Sequence, residues 1–224
     1  MFAAAVAVGV AAALVLAGCG GSGATATPNG VEKLPADQIL SKSLAAAEKA
    51  KSVRVSGTAP GGSRLDLAMS ADTTRALVTS GGATLEVLHV NQAYYLKAGK
   101  DFWAGHVGAA SAAALADKYV KVGSGVATQF KQFTDIASLF GSLKPTGTLS
   151  KGNTKTVNGT PSVELLDSKD TSVLYVSTVG EPYPVEINQP GANGGTITFT
   201  DWNKPISVTV PPKSQVVDLT SVTG

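Results

Sequence analysis

Residues 196–200, Thr196-Ile197-Thr198-Phe199-Thr200, alternate polar and apolar side chains at every step. Successive residues of an extended strand point to opposite sides, so Ile197 and Phe199 share one face and the threonines share the other. An antiparallel sheet with one packed face and one solvated face produces this alternation. The stretch therefore predicts a sheet whose inward face, the side of Ile197 and Phe199, is packed.

The same two-residue period recurs along most of the chain. Strands are predicted at residues 53–55, 65–69, 75–79, 85–90, 93–97, 148–150, 154–157, 162–167, 172–178, 183–188, 196–202 and 207–210. Short turn sequences separate nearly all of them, and Asn158-Gly159 is the strongest hairpin signal. The pattern predicts a meander of antiparallel neighbours in the first half and further strands to the end of the chain.

Three segments have helical spacing instead. Pro35 and Asp37 begin the first, and Lys49 and Lys51 close it, as the helix dipole favours. The second is the alanine-rich run 109–119. In the third, large apolar residues recur at three- and four-residue steps; we prefer core packing as its interpretation, with the wall of an apolar cavity as the functional alternative. Its three phenylalanines are Phe130, Phe133 and Phe140.

The beginning of the chain has the pattern of an export signal. Residues 2–16 form an uncharged apolar run, shorter than the roughly 20 residues that a transmembrane helix needs. The run ends in Leu16-Ala17-Gly18-Cys19, which resembles the lipobox of bacterial lipoproteins and implies cleavage before Cys19 and attachment of diacylglycerol to its thiol. A buried structural thiol and an uncleaved anchor are the alternatives, and the start lacks the usual Lys or Arg.

Three parts of the chain follow from this pattern. Residues 1–18 are the expected signal peptide, residues 19–34 a lipidated Cys with a flexible Gly- and Thr-rich tether, and residues 35–224 one folded domain. Cys19 is the only cysteine, which suits an oxidising compartment outside the cytoplasm. The expected location is the outer face of the cytoplasmic membrane, with the membrane itself as a partner through the diacylglyceryl group.

Composition and motifs argue against several classes of function. The net charge is only +2 and is spread without runs, so we expect no nucleic-acid partner. His89 and His106 lack the spacing of a metal site, and Ser124 lacks the pattern of a nucleophile elbow. No phosphate-cradling or dinucleotide motif is present. We therefore expect no catalytic residue, no metal and no cofactor.

Several segments resemble one family of envelope proteins. They are Ala50-Lys51-Ser52-Val53-Arg54-Val55-Ser56-Gly57 after an alanine-rich helix, residues 114–122 with Tyr119 where Trp is common, Leu174-Tyr175-Val176-Ser177 with the following residues 180–187, and residues 199–212. Their order and spacing are similar to those of actinobacterial lipoproteins of the LppX/LprG type. The resemblance implies an α+β fold in which a strongly curved antiparallel sheet, a LolA-like half-barrel, holds helices on its concave face.

The resemblance also implies a function in lipid binding. Members of this family bind or move lipidated molecules, so an acyl lipid or a glycolipid is the expected ligand, held in an apolar cavity. The residues expected to line that cavity are Leu67, Leu88, Phe130, Phe133, Phe140, Val185, Ile197 and Phe199. The alternative is a surface-exposed interaction or sensor lipoprotein with a filled core, whose outer face meets an envelope protein or a wall polymer.

The lipobox makes a direct prediction. Replacing Cys19 with Ser removes the thiol that forms the thioether, so the C19S variant should carry no lipid. Mass spectrometry and membrane fractionation of the two proteins measure this. Unchanged acylation of C19S would show that the lipobox interpretation is wrong.

Overall fold

The computed structural model describes residues 27–143 and 145–220. The predicted signal peptide and Cys19 lie outside the described residues. The helices are α1 (Ala36–Lys49), α2 (Lys100–Val107), α3 (Ala109–Leu115), α4 (Ser124–Thr128) and α5 (Ile136–Ser142). The strands are β1 (Ser52–Thr58), β2 (Arg64–Ser70), β3 (Thr74–Ser80), β4 (Ala83–Val90), β5 (Ala93–Ala98), β6 (Tyr119–Val122), β7 (Leu149–Val157), β8 (Thr160–Asp167), β9 (Val173–Ser177), β10 (Pro184–Gln189), β11 (Gly195–Thr200) and β12 (Val216–Asp218).

All twelve strands belong to one open sheet in the order β12-β6-β5-β4-β3-β2-β1-β11-β10-β9-β8-β7. Every neighbouring pair among the described strands is antiparallel except β12 with β6. The fold is thus the expected α+β half-barrel. Its hairpins follow the predicted turns: Asn158 and Gly159 have φ angles of 49° and 80°, the left-handed geometry that a two-residue hairpin requires.

A single row of apolar side chains organises the concave face. Hydrogen-bonded register places one residue from each of seven neighbouring strands side by side, and all of them are buried in one cluster. The row is Phe199, Val55, Leu67, Ala76, Val87, Leu96 and Val120. Trp103 of α2, Leu115 of α3 and Phe140 of α5 join the same cluster, so the helices cover this face.

The phenylalanine-rich segment is not one helix, contrary to the prediction. It divides into α4, a 3-10 turn at Lys131–Phe133, and α5. Asp135 ends the first part because its side chain accepts a hydrogen bond of 2.7 Å from the Ser138 amide and so caps a new helix. The alanine-rich helix is also shorter than expected, since the chain turns at Asp117 with φ 57° and then enters β6.

Residues 207–210, predicted to be a strand, form no ladder with any strand in the described part of the chain. They belong to a segment without regular secondary structure, 205–212, that contains Pro205, Pro211 and Pro212. Proline has no amide hydrogen for a ladder bond, which disfavours pairing there. Val208 packs instead against the cluster of Leu88, Val90 and Tyr95 on the convex side of the sheet.

Part of the segment assigned to the tether lies against the sheet. The Asn29 amide donates to the Thr178 carbonyl at 2.9 Å, and the Asn29 side chain donates to Ser177 and Gly180 carbonyls. Val31 is 3% exposed. Residues 27–34 are therefore bound to the domain because one polar and one apolar side chain both find partners there.

Gly57 lies where β1 and β11 approach each other closely. Its φ is 140°, and a Cβ at this position would overlap the Thr196 carbonyl oxygen. The G57A variant should lower the free energy of unfolding by about 2–3 kcal/mol, as measured by urea denaturation. Gly125 of α4 has open space around it, so the control G125A should not destabilise the protein; a stable G57A would contradict the close approach.

Candidate functional site

An apolar cleft of about 260 Å³ opens between α1, the end of α5 and the sheet from β7 to β11. Its apolar lining comes mainly from leucine and isoleucine, and its polar lining from loop residues and from the last residues of α5, β8 and β10. The lining residues are Leu40, Pro60, Ser142, Leu143, Pro145, Thr146, Leu149, Leu165, Asp167, Asp170, Ser172, Leu174, Ile187, Gln189 and Ile197.

A second row of paired residues forms the floor of this cleft. Strand register places Leu165 beside Leu174, Leu174 beside Ile187, and Ile187 beside Ile197. The next residue in the row is Gly57 of β1, which adds no side chain. Alternation in four adjacent strands therefore aims four branched side chains at one side of the sheet.

The roof of the cleft comes from the helices. Leu40 lies in α1, and Leu143 directly follows α5. Both side chains are only partly buried, and both belong to the margins of the apolar clusters rather than to their fully buried parts. The space between them and the floor is lined on two sides by aliphatic carbon, an arrangement that suits an aliphatic ligand.

Asp167 builds the polar rim. Its Oδ2 accepts hydrogen bonds from the amides of Thr146 at 2.8 Å and Gly147 at 3.1 Å, and its Oδ1 accepts one from Lys169 at 2.8 Å. The hydrogen bond from the Lys169 amide has the largest effect and lowers the pKa of Asp167. The hydrogen bonds from Gly147 and Thr146 lower this pKa further, whereas burial opposes them. The carboxylate thus fixes the loop before β7 against the β8–β9 turn.

Asp170 shapes the other part of the rim. Its Oδ1 accepts a hydrogen bond of 2.9 Å from the Ser172 amide, so it stabilises the β8–β9 turn in the same way. Thr146, Ser172 and Gln189 complete a rim of groups that form hydrogen bonds. A ligand with an aliphatic part in the cleft would therefore keep a polar part at this rim.

Of the eight residues predicted to line a cavity, only Ile197 lines the cleft. Leu67, Phe140 and Phe199 are in the filled core, where the Phe140 and Phe199 ring centroids lie 5.2 Å apart. Phe130 and Phe133 are partly buried against that same core. The phenylalanines therefore pack in or against the core, which is the interpretation that we preferred from their spacing.

Leu88 and Val185 do not share the interior of the other predicted residues. Val87 faces the core, so its neighbour Leu88 faces the opposite side and packs with Val90 and Tyr95. Val185 packs with Val157 and Tyr175 in a separate cluster, next to the irregular register between Pro184 and Glu186. The expectation that these two residues line the same interior is wrong.

Sequence reasoning missed most of the cleft. Leu165, Leu174 and Ile187 all stood in predicted strands, and Leu40 stood within the predicted first helix. Their alternation showed that each faced one side, but only the register of β8 to β11 shows that they are neighbours. Leu143 had no signal beyond its position after the last phenylalanine.

Other chemically capable groups lie away from the cleft. His106 in α2 makes a 2.7 Å hydrogen bond with the Phe102 carbonyl, and His89 stacks on Tyr94 with ring centroids 4.2 Å apart. Within residues 27–143 and 145–220, no group of three or more His, Cys, Asp or Glu side chains could hold a metal ion. No helix in those residues is long and apolar enough to span a bilayer.

Comparison with known proteins returns structural neighbours only. No family model matches the chain, and no curated protein sequence matches it. The fold is similar to LprF from Mycobacterium bovis, at 16% identity with a TM-score of 0.49, covering 79% of this chain and 96% of that chain. It is similar to the Mycobacterium tuberculosis lipoprotein LppX at 15% identity and a TM-score of 0.49, covering 77% of this chain and 99% of that chain.

A third similar structure is an uncharacterized conserved protein from Thermus thermophilus. Its identity is 11% and its TM-score 0.42, with 82% of this chain and 98% of that chain covered. LppX is one of the lipoproteins after which the type that the sequence motifs resemble is named.

The rim makes a prediction about pH. The folded-state pKa of Asp167 lies below the ordinary value of 3.8, so its stabilising effect is present above that value and is lost as pH falls through the lowered pKa. The D167N variant cannot accept from both loops, so it should melt at a lower temperature than the wild type at neutral pH. The difference should shrink in strong acid, where the wild-type carboxyl is protonated. A pH-independent difference in melting temperature would contradict this role.

Proposed function

We propose that the protein is an extracytoplasmic lipoprotein, anchored through Cys19, that binds and carries an amphiphilic lipid within the cell envelope. The cleft is the observation that carries this proposal. Its floor and roof are aliphatic, its rim is polar, and Thr146 at that rim is exposed to solvent. An acyl chain matches the walls, and a headgroup matches the rim.

The size of the cleft limits the ligand. Ligand pockets usually measure about 300–1,000 Å³, and the cleft, at about 260 Å³, falls just below this range. It therefore holds one acyl chain or part of one, and the rest of a larger lipid stays outside. Burial contributes roughly 0.8 kcal/mol per methylene, so about eight buried methylenes contribute roughly 6 kcal/mol before the costs of ordering.

One observation favours the alternative of an interaction or sensor lipoprotein. The concave face from β6 to β11 is filled by Phe140, Trp103 and Leu115, so most of the half-barrel has no space for cargo. In that alternative the cleft is a surface depression and the outer faces contact an envelope protein. Lipid content distinguishes the two proposals.

The lipid-binding proposal predicts that acyl lipid accompanies the purified protein. A version that lacks residues 1–19, purified without detergent from a host with a complex envelope, should contain one lipid per protein by native mass spectrometry. Leu174 lies on the cleft floor, and L174W should fill the space and abolish the bound lipid.

Leu77 provides a matched control. It is partly buried on β3, one residue from the inward-facing Ala76, and therefore faces the convex side. L77W introduces the same side chain on the other face and should retain the lipid. A wild type without stoichiometric lipid, or equal loss in L77W and L174W, would contradict the proposal.

A further inference from the structure

The domain has two distinct ends, because the predicted anchor and the cleft lie at opposite ends of the same strands. We call the first the tether end: it consists of residues 27–30 and the turn 178–181. The Gly180 amide donates to the Thr27 carbonyl at 2.8 Å, and Pro28 forms a bridge with Val179. The chain from Cys19 therefore reaches the domain here.

The cleft end consists of the rim residues around Asp167, Asp170 and Ser172. Strand β8 connects the two ends: the Pro161 carbonyl near its start accepts a hydrogen bond from the Thr178 amide, and the Asp167 amide at its end donates to the Ser172 carbonyl. β8 has 8 residues, whose first and last Cα atoms lie about 23 Å apart at a rise of about 3.3 Å per residue. The rim and the anchor attachment are thus separated by about one strand length.

The length of chain before Thr27 limits how the domain can turn. Seven residues separate Cys19 from Thr27, and this connection spans at most about 29 Å when fully extended. Placing the cleft end on the bilayer would require Thr27 to stand about 23 Å above it, so the connection would be stretched to roughly four-fifths of its limit. Stretching the connection costs conformational entropy, and this cost is absent when the tether end lies on the bilayer.

Side chains that line the same depression as Val179 and Glu181 of the tether end suit a bilayer surface. Tyr183 and Trp202 stack with ring centroids 4.4 Å apart, and both rings are partly exposed. Their polar atoms are satisfied, since Trp202 Nε1 donates to the Pro184 carbonyl and Asn203 donates to the Tyr183 hydroxyl. The side chain of Lys204 beside them is 70% exposed. Tyrosine, tryptophan and lysine are the residues that favour the membrane–water interface.

We propose that the tether end rests on the phospholipid surface that holds the Cys19 anchor, so that the cleft opens away from this membrane. The proposal rests on the acylation of Cys19. In this orientation the lipid enters and leaves on the far side of the domain, and its exchange partner stands across the envelope from the anchoring bilayer. The membrane contact and the lipid exchange then occur at separate surfaces.

Two single-cysteine variants test the orientation. Acylation blocks the thiol of Cys19, the only natural cysteine, so an introduced cysteine is the one free thiol. Glu181 at the tether end and Lys169 next to the cleft rim are both exposed, and neither lines the cleft. The full acylated chains E181C and K169C are labelled with the same fluorophore. They are then inserted into phosphatidylcholine and phosphatidylglycerol vesicles that contain a lipid with a spin-labelled headgroup.

The spin label should quench the fluorophore at position 181 several-fold more than at position 169. Equal or reversed quenching in acylated, vesicle-bound protein would overturn the orientation while leaving lipid binding intact. Mass spectrometry of the same samples reports acylation and bound lipid separately. A chain without acyl groups that does not float with the vesicles would overturn both the anchor and the orientation. Unequal quenching without bound lipid would support the orientation and count against the cleft as a lipid site.

Discussion

The packing of the concave face is the constraint on which the rest of the structure depends. A strongly curved sheet with one apolar face exposes that face to water unless other elements fill its hollow. The seven-residue row from Phe199 to Val120 needs such a cover, and α2, α3 and α5 supply it with Trp103, Leu115 and Phe140. Phe140 is 1% exposed, and truncating a buried phenylalanine to alanine typically costs about 3–5 kcal/mol.

The cleft exists because this cover ends before the sheet does. α5 ends at Ser142. Before β7, the amides of Thr146 and Gly147 donate hydrogen bonds to the Asp167 carboxylate, which fixes the position of the chain there. In the second row, Leu165 and Ile197 are buried, whereas Leu174 and Ile187 between them are only partly buried, and Leu40 and Leu143 line the space above them. The filled part gives the domain its stability, and the uncovered part provides space for a ligand.

The two ends of the strands have different roles. Hydrogen bonds between residues 27–30 and the turn 178–181 fix the chain leading to Cys19 at one end. The polar rim is built at the other, about one strand length away. In the proposed function, anchoring and lipid exchange are separated because strands are stiff and the connection to Cys19 is short.

The sequence by itself determined the local features. Alternation located most strands, Asn158-Gly159 located a hairpin through its left-handed backbone, and Pro35 with the dipole-matched charges located α1. The sequence also predicts a lipobox at Cys19, which lies outside the described residues. Each of these depends on neighbours within a few positions, which a sequence shows directly.

Only the tertiary structure decided which side chains meet. Leu88 and Val87 differ by one position but face opposite sides, and a shift of one residue in register would exchange them. The phenylalanine segment is broken by a cap at Asp135 that its spacing did not reveal, and its rings are in the core. The cleft is formed by Leu165, Leu174, Ile187 and Ile197, from four strands, whose proximity depends on register across the sheet. Register and the extent of the helical cover are set by packing between distant segments, and for that reason the sequence predicted the half-barrel but not the position of its opening.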